Sequence, residues 1–123
     1  METDMIQSFN KDEKKALIAI MKFVASADGV ITGEEITTFN EIAEKKNFDD
    51  FQEIFTEVDN EVHTIEDIME LAKKVRTKTH EYDILRYAFE MAIAGTTIEP
   101  EEVEILRLLG KEWGVDIKSL LKG

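Results

Sequence analysis

Two stretches of this chain align with each other without a gap. Residues 17–43, LIAIMKFVASADGVITGEEITTFNEIA, lie over residues 84–110, ILRYAFEMAIAGTTIEPEEVEILRLLG, at an offset of 67. Leu17 meets Ile84, Ile20 meets Tyr87, Val24 meets Met91, Ala27 meets Ala94 and Ile31 meets Ile98. Past the turn, Gly33 meets Pro100, Glu34 and Glu35 meet Glu101 and Glu102, Ile36 meets Val103 and Phe39 meets Leu106. Apolar matches between amphipathic helices arise easily. A shared Ala, a turn of the same length and a Glu-Glu pair in one register do not. The alignment predicts two related helix–turn–helix halves, about 11–46 and 80–113. A middle pair of helices separates them, and rough two-fold packing is expected.

The hydrophobic period is helical almost throughout. Leu17, Ile20, Met21 and Val24 mark a helix over about 11–26, with Asn10 and Glu13 as a capping pair. Ile36, Phe39, Ile42 and Ala43 mark one over about 33–46, and Phe51, Ile54, Phe55 and Val58 a shorter one. Thr64 can cap the next, whose stripe is Ile65, Ile68, Met69, Ala72 and Val75. Within 84–94 only Arg86 and Glu90 are charged, and a helix apolar nearly all round is expected to be buried at the centre. Pro100 suits the first turn of a helix over about 100–113 that ends near Gly114; Asp116 can cap a last short turn. No segment alternates with period 2. The expected fold is all-α: one domain, residues 1–123, a compact bundle of six to seven helices around a buried central helix.

Composition removes whole classes of function. Without Cys there are no disulfides, thiolate metal sites or Cys nucleophiles. The acidic start METDMIQSFNKDEKK has no apolar core of a signal peptide, and the longest apolar run, ALIAIM, is far short of the roughly 20 residues that span a bilayer. A cytoplasmic location is expected. A net charge of −12 and a sequence pI near 4.6 repel phosphate backbones and anionic lipid, so neither nucleic acid nor membrane is an expected partner. From Asp49 to Ala72 there are nine Asp and Glu and no Lys or Arg; Lys73, Lys74, Arg76 and Lys78 then follow. Acids at a helix start and bases at its end complement the helix dipole. The acidic run reads equally as a patch for a basic partner or a cation.

The turn SADGVITGEEI, residues 26–36, resembles the back half of a calcium loop. With Glu35 as the last ligand, Gly29 is the turn glycine and Ile31 the apolar position, but the first ligand position falls on Val24. A loop beginning with a core valine is not an EF-hand. The residues also have folding roles: Asp28-Gly29 as a turn pair, Thr32 with Glu35 as a capping box, and Glu34 and Glu35 at the positive end of a dipole. A weak oxygen-ligand cation site stays open if Asp28 or Glu35 meets acids from elsewhere, such as Glu101, Glu102 or the Asp49-Asp50 pair. No catalytic constellation is visible. His80 opens HEYDI, but a zincin helix needs a second His where Ile84 stands, and His63 reads as a solvated loop residue.

An Ala-Asp-Gly turn followed by Glu-Glu, repeated in two helical halves with a middle pair between, resembles the tellurite-resistance TerB-like family. The N-terminal domain of the co-chaperone DjlA is similar. The resemblance runs from about Lys14 to Leu121, carried in the first half by Ala27, Asp28, Gly29, Glu34 and Glu35 and in the second by Ala94, Ile98, Pro100, Glu101 and Glu102. Gly95-Thr96 stands where the second Asp-Gly would be, so a site drawing acids from both turns would be incomplete here. The resemblance implies a compact helical domain linked to bacterial tellurite and stress resistance. It implies scaffolding of a protein partner, or a divalent cation held by clustered acids, with no established activity. The expectation is a non-enzymatic acidic interaction module. A metal-binding protein using Asp28, Glu34, Glu35, Glu101 and Glu102, or an enzyme of unknown reaction, is the alternative. The partner's identity and the oligomeric state stay open.

Overall fold

The structure, a computed structural model, describes residues 9–25, 31–45, 48–75, 78–95 and 100–115, with the backbone alone at 78–79, 94–95 and 100–103. The described residues form six helices and no strand: α1 (Lys11–Ala25), α2 (Gly33–Lys45), α3 (Phe51–Glu61), α4 (Ile65–Ala72), α5 (Lys78–Gly95) and α6 (Pro100–Trp113). The all-α bundle expected from the periodicity is what forms.

Three helices begin with the same reciprocal device. In α1, the Glu13 N–H donates to Asn10 Oδ1 at 2.9 Å and the Asn10 N–H donates to Glu13 Oε1 at 2.8 Å. In α2, Thr32 and Glu35 do the same at 2.9 and 3.2 Å, and in α4 Thr64 and Asp67 at 3.1 and 3.2 Å. Each box satisfies two backbone donors that a helix start leaves without partners. At the far end, α6 stops where Gly114 takes φ 68°, a conformation that glycine adopts without steric cost. The Val115 N–H then closes onto Gly110 O at 2.7 Å, as in a Schellman motif.

The helix closed on every side is α1. Every residue from Ala16 to Ala25 is buried, and α1 packs against α3, α4, α5 and α6. This corrects the expectation for 84–94. Ile84, Leu85, Tyr87, Ala88, Met91 and Ala92 of α5 are indeed buried, against α1, but Ile93 is 49% exposed and Tyr82 is 37% exposed. The reason lies in the middle pair: α3 and α4 both pack on α1. Acids of α3, and Asp50 just before it, also neutralise the lysines along α1. Lys14 reaches Asp50 at 3.1 Å, Lys15 reaches Glu61 at 2.7 Å, and Lys22 reaches Asp59 at 2.7 Å. Lys22 lies over the Phe55 ring and Lys14 over Phe48, so the aliphatic stems are covered while the charged ends find partners.

The two halves exchange second helices. α6 lies on α1 and α2 lies on α5, the reciprocal arrangement that two-fold packing produces. The described core is continuous, from Phe9 through Phe39, Phe51, Ile68 and Leu106 to Trp113, whose indole N–H donates to Ala72 O at 3.2 Å and ties α6 to the end of α4.

Candidate functional site

The turn that carries the family signature leads into α2. Ile31 and Ile36, on either side of the Thr32–Glu35 box, pack against the core, so the entry angle of α2 is set by apolar contact as well as by the cap. Glu34 is exposed and Glu35 is half-buried. One Glu35 oxygen already accepts the Thr32 N–H. A cation would have to use the remaining oxygen or break the box, and would sit at the positive end of a helix dipole. Asp28 lies outside the described residues. Glu101 and Glu102 fall in the first turn of α6, equivalent to Glu34 and Glu35 in α2, and their side chains also lie outside the description. Asp50 is engaged by Lys14 through both carboxylate oxygens at 3.1 Å. Among the described residues, no group of three or more His, Asp or Glu side chains is gathered so as to hold a metal ion.

A second cluster joins the starts of α1 and α5. Glu13 is buried; its Oε2 lies 2.8 Å from His80 Nδ1 while its Oε1 serves the Asn10 cap. The Phe9 ring meets the His80 ring edge-on at 4.9 Å. Glu13 and His80 are 67 residues apart, the offset of the repeat. Residues related by a two-fold touch where the axis passes between them, so this contact marks the axis. The alignment held the clue: extending it four residues upstream of Leu17 pairs Glu13 with His80. The other histidine, His63, is exposed as expected. Its backbone N–H donates to Asp67 Oδ2 at 2.8 Å, and this bond, with those from Thr64, holds the Asp67 carboxyl below its ordinary value.

The acidic run proves to be divided. Asp50, Glu57, Asp59 and Glu61 pair with lysines of α1, Asp67 closes the α4 cap, and Glu70 pairs with Lys73. The hydrogen bond from Lys15 lowers the Glu61 pKa and raises that of Lys15. Among the described residues, Asp49, Glu53 and Glu66 meet no cation within ion-pair distance, and neither do Glu34, Glu41 and Glu44 along the outer face of α2. Glu41, Glu44 and Lys45 line a shallow depression there, and the Asn40 amide donates to Gln52 Oε1 at 2.8 Å, joining this face to α3. Among the described residues, acid left to solvent thus runs along α2 and the adjoining start of α3, with further unpaired acids at Glu66 on α4 and at Glu104 and Glu112 on α6.

No helix among the described residues is long and apolar enough to cross a membrane. A family model described as "Tellurite resistance protein TerB" matches residues 7–120. No curated protein and no solved structure matches the chain.

Proposed function

The chain belongs to the tellurite-resistance TerB family, and on that premise we propose that it is a non-enzymatic helical module that binds a basic partner protein through its acidic surface. The observation behind this reading is the division of the acids. Glu57, Asp59 and Glu61 of α3 are used inside the fold by the lysines of α1, whereas Glu34, Glu41 and Glu44 on α2 have no such use. Surface acids on a body of net charge −12 steer a basic partner toward them and fade with added salt. The His80 imidazole is tied to a buried capping carboxylate, which suits a structural role. The setting in this proposal is the cytoplasm and a stress response of the tellurite-resistance type, for which family membership is the support. The test is affinity capture from the native host with the full chain and with Glu34→Gln, Glu41→Gln, Glu44→Gln combined. A partner captured at low salt is expected to be lost at high salt and lost with the variant. Capture indifferent to both would sink the reading.

A second reading keeps the divalent cation. It is favoured by one observation: the two Glu-Glu pairs occupy the first turns of α2 and α6, at equivalent places in the two halves. Glu34, Glu35, Glu101 and Glu102 with Asp28 would be its ligands. Melting curves with Ca²⁺, Mg²⁺, Mn²⁺ and Zn²⁺ decide it. A site raises the melting temperature with a saturating dose dependence, by roughly RT ln(1 + [L]/Kd) in free energy. Asp28→Asn with Glu35→Gln should abolish that rise.

A further inference from the structure

The outer face of α5 is unlike the outer faces of α2 and α3. Tyr82, Arg86, Phe89 and Ile93 fall within an arc of roughly 60° on a helix of 3.6 residues per turn, and run about 16 Å along it. Tyr82 and Ile93 are exposed, and Phe89 and Arg86 are half-buried. By contrast, α2 turns Glu34, Thr37, Glu41 and Glu44 outward, and α3 turns Gln52, Glu53, Thr56 and Asn60 outward.

The repeat says what kind of object fits this face. At the offset of 67, Tyr82, Arg86 and Phe89 are equivalent to Lys15, Ala19 and Lys22. Those three lie on the side of α1 that α3 covers: Lys15 meets Glu57 and Glu61, Lys22 meets Asp59 and Phe55, and Ala19 is fully buried. The covering helix, α3, is amphipathic and brings Ile54, Phe55 and Val58 inward with acids at its rim to match the lysines. On α5 the equivalent lysines are replaced by Tyr82 and Phe89. The stripe is flanked by Asp83 and Glu90, with Arg86 between them at 3.8 and 3.5 Å. The face therefore holds more apolar surface than its counterpart and one more acid than base. The charge logic of α3 is inverted.

We infer that the α5 stripe Tyr82–Arg86–Phe89–Ile93 is the seat of an amphipathic helix from a basic partner protein, lying on α5 as α3 lies on α1. This rests on the reading of the protein as a partner-binding module and names where the partner's helix docks. Helix-in-groove recognition uses anchors at i, i+3, i+4 and i+7, and the stripe is long enough for two to three such turns. The bulk charge of −12 and the acids of α2, the helix packed against α5, favour Lys and Arg on the rim of that helix.

The probe is a synthetic amphipathic peptide of about eighteen residues with Leu on an i, i+3, i+4, i+7 face and Lys around it, a length that stays helical on a surface. A counterpart carries Glu for Lys. Titrated into the isotopically labelled full chain, the Lys peptide is expected to shift the amide signals from Tyr82 to Ile93. Those around Leu108 and Ile65, apolar residues of similar exposure elsewhere, should stay in place. Tyr82→Asn with Ile93→Asn, both at exposed positions, is expected to weaken binding about tenfold, while Leu108→Asn leaves it unchanged. Equal binding of the Glu peptide, shifts that map elsewhere, or undiminished binding by the double variant overturns the inference. A dimer dissociated by the same double variant overturns it in favour of a second copy. Methyl contacts from Leu120 or Leu121 to Ile93 in the free chain overturn it in favour of the chain's own end. The two readings fail separately: native capture that survives the glutamines on α2 removes the acidic surface, and capture that survives the asparagines on α5 removes the stripe.

Discussion

α1 and α5 descend through equivalent registers. Leu17 and Ile84, Ile18 and Leu85, Val24 and Met91, and Ala25 and Ala92 are matched pairs, and all eight residues are buried. The pairs on the outer side part company. Ala19 is sealed where Arg86 is half-buried, and Phe23 is buried where the Glu90 side chain is 40% exposed. Neither helix's own composition accounts for this, since α1 carries Lys14, Lys15 and Lys22 yet is enclosed. The difference comes from the segment between the halves. α3 and α4 fold back over α1, and no second such pair covers α5 among the described residues. Burial of a helix is here decided by what the chain lays over it.

Exchanging residues between equivalent positions tests this most severely. Phe23→Glu puts a carboxylate under the cover of α1 and removes a packed ring. The loss of an aromatic from a core, with the burial of an unpaired charge, is expected to cost about 4 kcal/mol or more. That is a large part of the 5–15 kcal/mol typical of a domain. Glu90→Phe, the mirror exchange, stays within about 1 kcal/mol, because the ring it adds lies on an open face. Urea unfolding of the two variants measures the contrast. Similar losses from both would mean that α5 is as enclosed as α1.

A smaller effect isolates the role of α3. Lys22 is buried and its ammonium is held by Asp59, whose own side chain is 63% exposed. Asp59→Ala leaves the cation enclosed without a counter-charge and is expected to cost about 2–3 kcal/mol. Lys22→Met removes the cation and keeps the stem, so the exposed Asp59 returns to water and the loss stays within about 1 kcal/mol. The asymmetry, read by thermal or urea unfolding, is the signature of a lysine enclosed by a neighbouring helix. Equal losses would show that Lys22 is solvated in solution.

What was legible in the sequence was local. Asn10 with Glu13, Thr32 with Glu35 and Thr64 as a cap are each found as expected, because a cap is decided within three or four residues. The helical stripes and the stop at Gly114 are likewise short-range. The expected centre differs from the observed one because apolar residues nearly all round α5 point to enclosure, while nothing local in α1 marks it as the helix that the middle pair covers. The contacts that reverse this join Lys14 to Asp50, Lys15 to Glu61 and Lys22 to Asp59, at separations of 36, 46 and 37 residues, and no periodicity marks them. The pair of buried Glu13 and half-buried His80 is as distant, 67 residues apart, and only the offset of the repeat points to it. Of the turn acids, Glu34 and Glu35 stand at a helix start as read. The part of Glu35 already engaged by Thr32 was visible in the capping pattern, and it competes with a ligand role.

The mildest exchange concerns the starts of α2 and α6. Gly33 and Pro100 are equivalent, and each is the first residue of its helix. A first-turn N–H has no partner within the helix, so proline loses nothing there, and its fixed φ already suits the helix. A Cβ built on Gly33 meets no atom within 4 Å beyond its chain neighbours, so a side chain can start there without a clash. The preceding residue, Thr32, is the N-cap, a position that normally takes the extended backbone that proline demands of its predecessor. Gly33→Pro should therefore stabilise the fold by about 0.5–1 kcal/mol, chiefly by restricting the unfolded chain. Gly33→Ala should give a smaller gain of the same sign. A lower melting temperature for Gly33→Pro, with the Ala variant raised, would show that the two halves enter their second helices by different backbone paths, and the repeat would then be one of pattern and not of geometry.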